Sequence, residues 1–83
     1  MVTAARDTEI YDQTVEIVRY YLGPAGKRYI DRQVKFHLKK SPKDLSAADL
    51  KQLLEWIRVS LALLTDDQTM VDEAVSKLKK VSS

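Results

Sequence analysis

A chain of 83 residues, 45% apolar and 31% charged, with two glycines, two prolines and no cysteine, has the composition of one small globular domain spanning 1–83. A domain this size buries one modest core and has little material left for a deep catalytic cleft, while the lack of cysteine excludes disulfide frameworks, thiol nucleophiles and cysteine-bound zinc. The net charge of +2 conceals an asymmetry, because residues 27–43 hold seven bases against Asp31 alone and the remainder holds seven bases and eleven acids.

The first element is predicted over about 7–22. Ile10, Tyr11, Thr14, Ile17, Val18, Tyr21 and Leu22 recur at three- and four-residue steps and share one helical face. Asp7, Glu9 and Asp12 near its start and Arg19 near its end suit the helix dipole, and residues before Arg6 are expected to fray. Gly23-Pro24 ends this helix, since glycine accepts the left-handed conformation and proline fits the first turn of a new helix. Helix 2 is predicted over about 24–40, with Ile30, Val34 and His37 as its buried stripe and Tyr29, Gln33 and Leu38 at the margins. Arg28, Arg32, Lys35 and Lys39 line its other side. Gly26 is read as a small residue where two helices approach closely. Helices 1 and 2 either turn sharply against each other or form one kinked rod.

A polar loop, Lys40-Ser41-Pro42-Lys43-Asp44, precedes the cleanest signal. Ser46 is an N-cap, Asp49 stands in for the Glu or Gln of a capping box, and Leu45 and Leu50 make a hydrophobic staple. Helix 3 is predicted over 47–64, burying Leu50, Leu53, Leu54, Ile57, Leu61 and Leu64. Thr65 is read as the next N-cap with Gln68 reaching back, opening helix 4 over about 66–81 with Met70, Val71, Ala74, Val75, Leu78 and Val81 inward. Asp66 and Asp67 at its start and Lys77, Lys79 and Lys80 at its end agree with the dipole. The fold class is all-α, a compact four-helix bundle or an orthogonal helical array.

Most chemistry-bearing patterns fail on inspection. Gly26-Lys27 lacks both the upstream glycine and the following Ser or Thr of a phosphate loop, their places being held by Tyr21 and Arg28. His37, the single histidine, is too little for a metal centre and reads as a partly buried ring. Asp66-Asp67 and Asp72-Glu73 lack the alternating ligands of a calcium loop. Of the tyrosines, Tyr11 and Tyr21 fall on the core side of helix 1 and Tyr20 looks outward. No nucleophile, base and anion stabiliser assemble, so neither enzymatic activity nor a cofactor or metal is expected. No segment approaches the ~18 apolar residues of a membrane span, and the acidic start is unlike a signal peptide; a cytoplasmic location without a membrane partner is expected.

Two features remain. On helix 3, Trp56, Val59 and Leu63 recur at i, i+3 and i+7 nearly opposite the leucine stripe, which means either enclosure by neighbouring helices or an interface with another chain, centred on Trp56. The row Arg28, Arg32, Lys35 and Lys39 either pairs with acids of its own fold or docks something acidic, nucleic acid included. The sequence therefore points to a non-enzymatic interaction or regulatory module, self-associating or docking a protein partner. The alternative is nucleic-acid binding through the basic face of helix 2.

The pattern Tyr20-Tyr21-Leu22-Gly23-Pro24-Ala25-Gly26-Lys27, followed by Ile30, Arg32-Gln33, Pro42 and Leu45-Ser46, resembles small helical modules appended to prokaryotic signalling proteins. It covers about half of the chain, with Tyr-Leu-Gly-Pro as its recognisable core and Gly26 where the pattern has alanine. Within the 83 residues no kinase, cyclase or receiver domain accompanies it, as expected of a fragment excised from a larger protein. The resemblance implies a regulatory or interaction role.

Overall fold

A computed structural model describes the backbone of residues 2–83 and the side chains from Ile10 onward. It contains α1 (Val2–Leu22), α2 (Ala25–Leu38), a single 3-10 turn (Pro42–Asp44), α3 (Ala47–Leu64) and α4 (Gln68–Ser82), with no strand among the described residues. The protein is a small all-α bundle measuring 41 × 23 × 22 Å.

The Gly23-Pro24 break makes a hairpin of α1 and α2. Gly23 adopts φ 70° and donates its N–H to the Arg19 carbonyl at 2.8 Å, and Pro24 caps the next helix at φ −58°. The two helices lie side by side, so the kinked-rod alternative is removed. Farther along the pair, the Tyr11 hydroxyl donates to Asp31 Oδ1 at 2.6 Å, and Lys27 Nζ holds Asp31 Oδ2 at 3.0 Å. Close to the turn, a Cβ on Gly26 would stand 2.7 Å from Arg19 N, which makes Gly26 the near-contact point of the helices.

Each helix contributes one apolar stripe to a single core. Tyr11, Val15 and Val18 come from α1, Ile30 and Val34 from α2, Leu50, Leu53, Ile57 and Leu61 from α3, and Val71, Ala74, Val75 and Leu78 from α4. Thr14 is also fully buried, its hydroxyl satisfied by the Ile10 carbonyl at 2.7 Å. The start of α3 is fixed by a complete capping box. Asp49 N–H donates to Ser46 Oγ at 3.1 Å and Ser46 N–H to Asp49 Oδ2 at 3.2 Å, so aspartate fills the role usually given to glutamate. Leu45 and Leu50, the staple pair, are both fully buried.

Four expectations about the helices need correction. α1 begins at Val2 and not near Asp7, which leaves no acid in its first turn; the Asp7 and Glu9 side chains lie outside the described residues. α2 stops at Leu38, two residues early, because Lys39 turns left-handed at φ 54° and returns its N–H to the Val34 carbonyl. Thr65 does not cap α4. It closes α3, and its hydroxyl accepts the Asp67 N–H at 3.0 Å, while Asp67 becomes the cap by accepting the Met70 N–H at 3.0 Å. Gln68 reaches forward to Asp72 at 3.2 Å instead of back to a cap.

Candidate functional site

Helix α3 has two apolar sides, and only one is covered. Leu50, Leu53, Ile57 and Leu61 are buried against the other helices, whereas Trp56, Val59 and Leu63 are 53%, 58% and 82% exposed. The reason is geometric. The hairpin of α1 and α2 and the helix α4 approach α3 from its inner side, leaving a ridge that spans about 10 Å along the outer one.

Depressions flank the ridge. On one side Leu54, Glu55, Arg58, Val59, Val75 and Lys79 line a shallow cleft of about 330 Å³ between α3 and α4. Beside it, Arg58 holds Asp72 at 2.8 Å, and with Gln68 keeps that carboxyl below the usual carboxylate range. On the other side, a groove of about 350 Å³ runs between α2 and α3, with Leu63 and Leu64 on one wall and Ala25, Arg28 and Arg32 on the other. Tyr29, Gln33 and Ser60 complete its lining. The two helices run antiparallel there, since Tyr29 meets Ser60 while His37, two turns later, meets Trp56.

The groove's base is tied by hydrogen bonds. The Tyr29 hydroxyl lies against Ser60 Oγ and donates to the Ile57 carbonyl at 3.3 Å. Burial pushes that hydroxyl above the ordinary tyrosine range, with the Ser60 contact opposing in part, so it stays a neutral donor at physiological pH. Gln33 differs: its buried Oε1 has no hydrogen-bond partner among the described residues. Native interiors rarely leave such an acceptor unmet.

His37 is a correction. It was expected within the buried stripe of α2 but is exposed, because the stripe passes from Ile30 and Val34 to the half-buried Leu38 and leaves the histidine outside its edge. Its ring stacks on the Trp56 indole, with centroids 4.3 Å apart and planes within 12°. Leu64 is a second correction. As the last residue of α3 it lies past the point where the chain turns away toward α4, and it is 61% exposed instead of buried. Phe36 went unnoticed in the sequence, yet it follows Tyr29, Arg32 and Gln33 at seven, four and three residues and so shares their face of α2; it is 72% exposed. A helical wheel centred on the basic row would have found it.

The cationic row is exposed as expected. Among the described residues Arg28, Arg32, Lys35 and Lys39 form no ion pair, whereas Lys27 pairs with Asp31 and Lys40 with Asp49. Tyr11 is buried, Tyr21 half-buried and Tyr20 exposed beside Lys77. No three His, Cys, Asp or Glu side chains converge among the described residues, and none of their helices is long and apolar enough to cross a membrane. The chain matches no family model, no curated protein and no solved structure.

Proposed function

We propose that the protein is a non-enzymatic interaction module that docks a protein partner through the Trp56, Val59 and Leu63 ridge. The single observation supporting this is the exposure of three large apolar side chains on a helix whose opposite side already supplies the core. Contiguous apolar surface on a small domain is unfavourable in water unless something covers it, and tryptophan is enriched where binding energy concentrates. The resemblance of the Tyr21-Leu22-Gly23-Pro24 region to helical modules of signalling proteins agrees with a regulatory role. A second reading draws on Arg28, Arg32, Lys35 and Lys39, which form no ion pair among the described residues, a row able to neutralise successive phosphates of a nucleic acid.

The test compares wild type with Leu63→Glu. The proposal expects an unchanged circular dichroism spectrum, a loss of partner capture, and no binding of duplex or single-stranded oligonucleotides at low salt by either protein. Unfolding of the variant, or capture equal to wild type, contradicts it. Oligonucleotide binding that falls steeply with salt and is unaffected by Leu63→Glu selects the second reading.

A further inference from the structure

The groove between α2 and α3 is chemically lopsided. One wall offers Leu63 and Leu64, and the other carries the guanidinium groups of Arg28 and Arg32 one helical turn apart with no carboxylate among the lining residues. We infer that the groove receives an acidic amphipathic helix of a different protein, its apolar stripe on Leu63 and Leu64 and two carboxylates one turn apart on Arg28 and Arg32. The inference rests on the interaction reading above and names the class of partner.

Three observations select this occupant. Charge complementarity is the first: two cations four residues apart match acids at i and i+4 on a helix lying alongside, and such a match speeds encounter and sets register. The orphan acceptor is the second. Gln33 lines the groove and its buried Oε1 has no donor among the described residues; a rotation of the amide into the groove would let a side-chain amide or hydroxyl of an incoming helix satisfy it. The third is the apolar wall. Phosphate backbones gain nothing from Leu63 and Leu64, and a second copy of this chain docked symmetrically would bring two sets of Arg28 and Arg32 into one interface whose lining holds no acid. The helix-in-groove mode needs an apolar surface to receive the ligand's stripe and a polar wall to orient it, and the adjacent Leu63 and Leu64 facing Arg28 and Arg32 supply both. Phe36 and the His37 and Trp56 stack continue the same side of the molecule toward the C-terminal end of α2.

The experiment selects binders from a display library of helical peptides, randomised on one face, against the full 83-residue protein, and maps the enriched peptides by amide chemical shifts. The expected result is enrichment of peptides pairing leucine-type anchors with acids four apart, with shifts at Ala25, Arg28, Arg32, Leu63 and Leu64 and, where the helix runs on past the groove along the same side, at Trp56. The double variant Arg28→Glu with Arg32→Glu should weaken such a peptide about tenfold, and replacing the peptide's acids by lysine should restore binding to that variant. Both arginines are exposed, so the reversal leaves the fold intact, as circular dichroism would verify. Enriched peptides that are not acidic, or that map to the cleft between α3 and α4, overturn the inference while leaving the interaction reading standing. No enrichment at all overturns both. Sedimentation showing a dimer of the free protein with Leu63 covered, or an oligonucleotide displacing the peptide from the groove, also overturns it.

Discussion

Replacing Gly26 by alanine should destabilise the protein although alanine is the better helix former. The added Cβ would stand 2.7 Å from Arg19 N and 2.8 Å from Arg19 Cα, where ordinary contact begins at 3.4 Å. These are backbone atoms of α1, so no side chain can swing aside, and the helices must separate by roughly the missing 0.7 Å. Overpacking of this kind costs about 1–3 kcal/mol, whereas removing a helical glycine returns at most about 1 kcal/mol, less in the first turn where Gly26 sits. The net loss is about 1–2 kcal/mol, a sizeable part of the roughly 4–12 kcal/mol that a domain of this length has in total. Urea unfolding followed by circular dichroism should show a lower midpoint, and thermal unfolding a Tm lower by about 4–8 °C per kcal/mol lost. Gly23→Ala is the control, because its site has φ 70° and open space around it, so its loss of about 1 kcal/mol comes from the left-handed backbone alone. A Gly26→Ala midpoint at or above wild type would refute the close packing of α1 on α2.

The two sides of α3 should respond oppositely to truncation: Leu61→Ala loses about 2–5 kcal/mol in urea titration, and Leu64→Ala, at an exposed site, stays within about 0.5 kcal/mol. Equal losses at both would mean that Leu64 is covered. Asp49→Asn should lose about 1 kcal/mol at pH 6 through the weakened capping box. Partial burial raises the Asp49 carboxyl, but the Lys40 ammonium and the Ser46 N–H and hydroxyl outweigh it and hold it below the ordinary value. Its contribution is therefore complete above the unfolded value of about 3.9 and disappears as the pH falls through the lower folded value. The gap between wild type and Asp49→Asn should close in acid, and a gap constant from pH 6 to pH 2 would contradict this account.

The helices were legible where one local interaction settles them. Ser46, Asp49 and the leucine staple define the start of α3, its bounds agree with the reading over 47–64, and Gly23-Pro24 breaks the chain where expected. Errors fell where two local solutions compete. Thr65 and Asp67 are both good caps, and the turn that Thr65 makes with the Asp67 N–H hands the cap to Asp67. Lys39 ends α2 through a left-handed backbone that lysine does not advertise. Burial of His37 and Leu64 depended on where the edge of the core falls, which periodicity does not encode; on α2 the stripe goes from Val34 to the half-buried Leu38 and bypasses His37, and on α3 the stripe that buries Leu61 reaches solvent at Leu64. The Trp56, Val59 and Leu63 ridge was visible as a second apolar face, but the groove beside it needs two helices placed next to each other, and so does the unmet acceptor of Gln33.

Trp56 is the sole tryptophan, so its fluorescence reports on the ridge without labelling. Acrylamide quenching of the monomer, before and after saturation with a selected acidic helix, measures whether the indole faces water and then becomes covered. Ready quenching in the free protein that falls on complex formation is the predicted result. An indole already shielded in the free monomer, or equally quenched with the helix bound, would contradict the placement of a docking surface on the outer side of α3.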